Sequence, residues 1–288
     1  RVESPAGGKA PSKDDKKDDK KAAAPAGKAD LELPADFEGN LGGGRTVIKK
    51  DYDAALEILT AEEDVDLVTA HIEDYSDRDV VKYVHAALES HSNVMSDNCF
   101  NRIGFGQAPP PSQFKDTNDE VNYIKKMTNT MSSDRFVICA PHGCLGAVVG
   151  LVGNLPVHYS ATFKTLSGVT GLSRKYGPSH LKELLKANIL ALEEKKGKGI
   201  IVEKGICTSG EQISVQRVAD KAVRGAKLIG DQFIGTLNNM SGRAALKEKC
   251  TEFYLQMEKD GEIVPNADGS DPAFKVDVYA TDDDISKG

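Results

Sequence analysis

The sequence has no tryptophan, no Cys-x-x-Cys pair, no excess of positive charge and no long apolar run. The missing tryptophan decides nothing, but each of the other lacks removes a class of function. Five cysteines (Cys99, Cys139, Cys144, Cys207 and Cys250) are scattered singly, and Cys139 and Cys144 are the nearest pair. Structural zinc sites take ligands in closely spaced pairs. No metal site is therefore expected, and the thiols read as free side chains packed in a reducing compartment. The formal net charge of −7 opposes a surface built to neutralise nucleic-acid phosphates, which needs clustered Lys and Arg. The longest apolar stretch, Leu145 to Leu155, carries three glycines and falls well short of the ~20 residues that span a bilayer. Direct nucleic-acid binding and membrane insertion are not expected.

What the chain does have is length for one large domain or two ordinary ones, 288 residues in all,. Residues 1–36 stand apart. They alternate Lys with Asp, hold eight basic and eight acidic residues and contain few large apolar side chains. Such a balanced polyampholyte cannot bury enough surface to offset the entropy of ordering, so it reads as a flexible loop or linker. From Phe37 a strand–helix alternation begins. A helix starts near Asp51 with Tyr52, Ala55, Leu56 and Leu59 on one face. The run Val65 to Ala70 reads as a strand, and Ser76 and Asp79 form a capping box for a helix burying Val80, Val81, Val84 and Leu88,. Pro109 to Pro111 break the chain. A helix around Val121 to Met131 precedes a buried strand, Phe136 to Ala140.

The later chain repeats the pattern. Pro178 and Ser179 open a helix carrying Leu181, Leu184, Leu185 and Leu192, and Gly199 to Glu203 reads as a buried strand. Ser214 caps a helix with Val215, Val218, Ala219, Ala222, Val223, Ala226 and Ile229 at helical spacing. Ser241 caps another, which Gly261 ends,. Phe274 to Ala280 alternates with period two, as a half-exposed strand does,. The alternation predicts a layered α/β core with at least partly parallel strands.

Two stretches imitate catalytic or binding motifs. Gly39 to Thr46 has phosphate-loop spacing, with Arg45 where the motif has Lys. The motif needs a strand before it and a helix directly after it, and the sequence offers neither,. His142 and Cys144 follow the Phe136–Ala140 strand, where α/β enzymes place catalytic groups, with Asp134 or Glu120 as a distant orienter,. A dyad is recognised by geometry rather than by nearness in sequence, and packing is the reading preferred for both. His71 has the same standing, and His85, His91, His158 and His180 read as surface or packing residues. No other catalytic fingerprint is present. An enzyme is not expected, and no cofactor is implied. A His142/Cys144 α/β enzyme and a nucleotide-binding protein using Gly39 to Thr46 stand as the alternatives. One stripe is unusual in an acidic chain: Arg217, Lys221, Arg224 and Lys227 share the face opposite the apolar one on the Ser214 helix. That face is a candidate for electrostatic docking to an acidic partner.

The run from Lys198 to Ile263 resembles the C-terminal domain of phage tail sheath proteins and their relatives in contractile injection systems. There a GIxVExGIxT strand precedes an ISVxRxxDxxxR helix, then an FIGxxNN segment and an RxALxxxxxxFLxxM helix. Upstream, Tyr52 to Val68, Gly146 to Leu172 and Leu184 to Leu192 are similar to the family's segments in the same order. The resemblance implies a subtilisin-like sheath domain over residues 37–172 and a smaller α+β C-terminal sheath domain over 173–288. It implies a structural subunit that polymerises around an inner tube in a metastable extended state and contracts to drive the tube through an envelope. Implied partners are further copies of the chain, the inner tail tube protein, and baseplate and tail terminator proteins. The implied location is a virion tail, or an extracellular or cytoplasmic contractile particle, assembled in a bacterial or archaeal cytoplasm. On this pattern Arg217, Lys221, Arg224 and Lys227 are the candidate tube-docking face, and Phe274, Val276 and Val278 the candidate strand-exchange segment. Terminal arms are expected before Arg1 and after Gly288.

Overall fold

The expected alternation becomes one mixed sheet between two helical layers in the computed structural model, which describes residues 47–269 and 271–287, with backbone alone for 285–287. The elements are α1 (Lys49–Leu59), β1 (Leu67–Thr69), α2 (Arg78–Asp97), β2 (Ile103–Gln107), α3 (Thr117–Thr130), β3 (Phe136–Ala140) and α4 (Leu145–Asn154). They continue with α5 (Pro178–Lys186), β4 (Leu190–Lys195), β5 (Gly199–Val202), α6 (Ile213–Asp231), α7 (Met240–Lys259) and α8 (Asp282–Lys287). The strands lie side by side in chain order. β1 to β4 are parallel, and β5 turns back antiparallel on β4.

Period-two alternation distributes the strand side chains between two cores. Phe136, Ile138 and Ala140 of β3 face the layer of α2, α3 and α5, meeting Val81, Leu88, Ile124 and Leu184. Val137 and Cys139 face the other way, with Ile103, Phe105, Leu190 and Leu192, against Val148 and Val152 of α4 and Ile213 of α6. Burial on both faces is why β3 is apolar throughout rather than alternating.

The strand β2 escaped sequence reasoning because its sequence, IGFGQ, has glycine at both positions facing α2. Those glycines are required by close approach. A Cβ on Gly106 would lie 2.7 Å from the His85 ring, and one on Gly104 would lie 3.0 Å from Ser92 Oγ. Leu192, expected on a helix, sits in β4. The helix stops at Lys186, and Asn188 at φ 57° turns the chain into the sheet. Three caps also shift by a residue or two. Asp77, not Ser76, accepts from the Asp79 and Val80 amides, and Asn239, not Ser241, accepts from Gly242. Ser214 lies inside α6, which starts at Ile213. Gly261, at φ 71°, follows the end of α7 as expected.

The division expected at residue 172 falls between α4 and α5, yet β4 and β5 beyond it complete the same sheet. Everything from Val47 onward forms one compact unit. The 1–36 linker lies outside the described residues.

Candidate functional site

The catalytic candidates are held as packing groups. His142 Nδ1 lies 3.0 Å from the Ala108 carbonyl, and its ring meets Tyr75 edge-on at 4.8 Å. Cys144 is buried, and burial raises its thiol pKa, which stores a neutral thiol rather than a nucleophile,. Glu120 is fully buried and engaged by Tyr176 Oη at 2.6 Å and Arg174 Nε at 2.7 Å. His71 and His142 do line a common open cavity with Thr69 and Gln107 at the C-terminal ends of the strands. Among the described residues no cluster of three or more His, Cys, Asp or Glu could hold a metal, and no helix is long and apolar enough to cross a membrane. Gly39 to Thr46 lies outside the described residues.

The basic face of α6 is placed differently from the expectation. Arg217 Nη1 donates to the Leu155 carbonyl at 3.0 Å, and Lys221 pairs with Glu262 at 2.6 Å. Arg224 pairs with Asp66 and donates to the Asn101 carbonyl at 2.7 Å. Lys227 pairs with Asp231 at 2.9 Å and lies 5.2 Å over the Phe100 ring. All four are half-buried against groups of the same chain, as are Val218, Ala222, Ala226 and Ile229 of the apolar face, while Val215 and Val223 are exposed. The apolar face is partly covered, and the charged face is engaged by the protein itself.

The reason lies in what receives it. Asp66 precedes β1, Asn101 and Arg102 precede β2, and Arg135 precedes β3, so the parallel topology sets the polar residue before each strand along one edge. Helix α6 lies across that edge. Asp220 pairs with Arg135 and accepts from Asn101 Nδ2 at 3.0 Å, completing the network. Arg102 is fully buried beside it. Its guanidinium donates to the Leu59 and Glu62 carbonyls at 3.0 and 2.6 Å and lies 3.0 Å from His91 Nε2. Burial, then the nearby Arg102 charge, lowers the His91 pKa, so the neutral imidazole accepts from the arginine,. The signal for Asp66, Asn101 and Arg135 was a polar residue before each apolar run, which acquires meaning only once the strands are side by side; Asp220, within α6, carried no such signal.

The segment from Phe274 to Ala280 keeps its alternation without belonging to a sheet. Phe274, Val276, Val278 and Ala280 are half-buried, while Lys275, Asp277 and Tyr279 are exposed. Phe274 lies 5.4 Å from the Tyr254 ring, and Asp277 is 3.6 Å from Lys247, which lays the segment along α7. No ladder bond joins it to another described strand, so the expected strand is an extended segment here. A ladder needs a second chain segment, and none of the described ones reaches it.

The model of the phage tail sheath protein central domain matches residues 46–208, more than half of the chain. The chain belongs to the phage tail sheath protein family. The match covers α1 to β5, so the sheath central domain is the five-stranded sheet with its helices. Solved structures agree in fold. A chain of the anti-feeding prophage baseplate superposes with TM-score 0.66 at 14% identity, covering 85% of this sheath chain and 68% of that one. The sheath complex of an extracellular contractile injection system, in its contracted state, gives 0.63 at 12% identity, with coverages of 82% and 68%. The sheath tail protein of Desulfitobacterium hafniense gives 0.59 at 15% identity, with coverages of 80% and 54%. This sheath chain thus spans between about half and two thirds of the length of these relatives. No curated protein sequence matches it.

Proposed function

We propose that this chain is a structural subunit of a contractile tail sheath, polymerising around an inner tube and shortening to drive that tube through a target envelope. The match of the sheath central domain over residues 46–208 carries the reading. Its partners are further copies of itself, the baseplate, the inner tube protein and a tail terminator, in a tail-like particle assembled in a bacterial or archaeal cytoplasm. A head-to-tail contact that does not close generates the helical array such a sheath needs, and two packings of nearly rigid subunits supply its extended and contracted states. We place the division between central and C-terminal parts near residue 208, where the family match ends and α6 begins to cross the sheet edge. With Arg217, Lys221, Arg224 and Lys227 engaged internally, their part is to fasten α6, and the reading asks no tube contact of them.

The extended segment is the lattice connection. Phe274, Val276 and Val278 are half-buried beside α7, and the main chain between them is available for strand addition by a neighbouring subunit's arm, a known mode of recognition,. Electron microscopy of purified particles tests the function directly. Striated tubes of two lengths are expected, and a chain that stays monomeric with tube protein and baseplate present would overturn the proposal. Lys275→Pro removes one ladder donor from an exposed position,. It should abolish tubes while leaving thermal unfolding of the monomer unchanged; normal tubes from this variant would remove the strand-addition role.

A further inference from the structure

Arg102, fully buried just before β2, fastens the end of α1. Its guanidinium donates to the carbonyl of Leu59, the last residue of α1, at 3.0 Å, and to that of Glu62, in the chain beyond, at 2.6 Å. It also meets His91 of α2, whose Nε2 lies 3.0 Å from Nη1. An arginine can only donate, so this contact requires a bare Nε2, with the imidazole proton on Nδ1. The position of Arg102 therefore depends on an acceptor that a single added proton abolishes.

The rest of the hold on α1 is light. None of its residues is buried, and Tyr52, Leu56 and Leu59 pack only partly against the core. Tyr52 Oη donates to the His71 carbonyl at 3.0 Å, and Tyr83 Oη of α2 donates to Asp53 at 2.6 Å. The groove between α1 and α2, about 400 Å³ in volume, gives a proton its way in, since His91 lines it with Asp53, Glu57 and Tyr83. Charges face the ring from opposite sides. Arg102 opposes its protonation and Glu57 of α1 favours it. Arg102 is itself repelled by Arg224 of α6 and attracted by Asp66, before β1. Burial and Arg102 together outweigh Glu57, which keeps the imidazole neutral at ordinary pH,.

We propose that the His91–Arg102 contact is an acid-operated latch, whose opening frees α1 and the turn after it from α2 and the sheet. Protonation adds a hydrogen to Nε2 and sets two cations against each other at 3.0 Å, so the pair separates,. Arg102 keeps its proton and is buried, whereas His91 borders an open groove with Asp53 and Glu57 across it,. The ring is the group that moves, and it enters the groove as a wedge between the two helices. Arg102 then lacks the acceptor that held it beneath Leu59 and Glu62. The latched state is favoured in full above the ordinary imidazole pKa of 6.5 and weakens as pH falls below it,. This device goes beyond the sheath reading and stands whether or not the chain polymerises.

The test is hydrogen exchange of the full chain, read by mass spectrometry at about pH 7.5 and about pH 5 and corrected for the intrinsic pH dependence of exchange. Protection over residues 49–66 should fall roughly tenfold or more in acid, the equivalent of one hydrogen bond to a charged group. His91→Gln keeps an acceptor for Arg102 and does not titrate, so its α1 should show no such fall. Strand β3 reports the global loss of stability, which both proteins share. An equal acid loss over residues 49–66 in wild type and variant overturns the latch. A titration of the wild-type imidazoles by NMR gives a check that needs no variant. The acid midpoint of exchange over residues 49–66 should coincide with that of the His91 ring. Coincidence with the His85 ring instead, or no loss in α1 before the core itself unfolds, also overturns the proposal.

Discussion

Protonation of His85 should make the subunit lose stability in mild acid by an amount the structure sets. His85 projects from α2 into the core, 1% exposed, its ring 5.7 Å from Phe136 and pressed against Gly106. Its Nδ1 has no partner, and burial pushes its pKa down to about 4 from an ordinary value of 6.5. The unfolded chain takes up a proton near pH 6.5, whereas the native state resists until about pH 4,. Stability from this group is therefore complete above the unfolded pKa, falls as pH drops through that window and levels off below the folded pKa. At ~1.4 kcal/mol per pH unit the full loss is about 3 kcal/mol, of which about 2 kcal/mol has gone by about pH 5. His85→Phe keeps a planar ring and removes the titration. Urea unfolding of both proteins at about pH 7.5 and about pH 5 isolates the difference, since every other group titrates in both. The wild type should lose about 2 kcal/mol more than the variant. Equal losses would refute the argument that this imidazole is forced to stay neutral.

Two further outcomes follow from the edge network and the thiols. Asp220→Ala leaves Arg135 without its carboxylate at 13% side-chain exposure and should destabilise by about 3 kcal/mol, the lower end for a broken buried pair. A double-mutant cycle with Arg135→Met checks it, and a coupling near zero would show that the pair is not what holds α6. Cys144, buried and with its pKa raised, should alkylate much more slowly with iodoacetamide at neutral pH than half-exposed Cys99,. Faster labelling of Cys144 by mass spectrometry would revive the nucleophile reading.

The legible parts of the molecule were those where local pattern and burial agree. Phe136 to Ala140, Val80 to Leu88 and the family-like run from Lys198 to Ile263 announced their elements and their kinship because their apolar spacing is the fold's own,. β2 was illegible because Gly104 and Gly106 are chosen for the approach of His85 and Ser92, residues distant in sequence, and not for strand propensity,. The orientation of α6 was illegible for a related reason. A helical wheel separates charged from apolar sides, but it does not say which side the protein offers a partner.

By itself, then, the sequence determined most of the strand–helix alternation, the buried character of the strands at Phe136–Ala140 and Gly199–Glu203 and membership in the sheath family, since all three are written in residue type and spacing. Only the tertiary structure decided that Arg217, Lys221, Arg224 and Lys227 are engaged within the chain and that Phe274 to Ala280 lies along α7 without a ladder partner among the described residues. Both outcomes depend on what a segment meets in space. Parallel topology gathered Asp66, Asn101 and Arg135 at one edge, where a charged helix face binds better than an apolar one,.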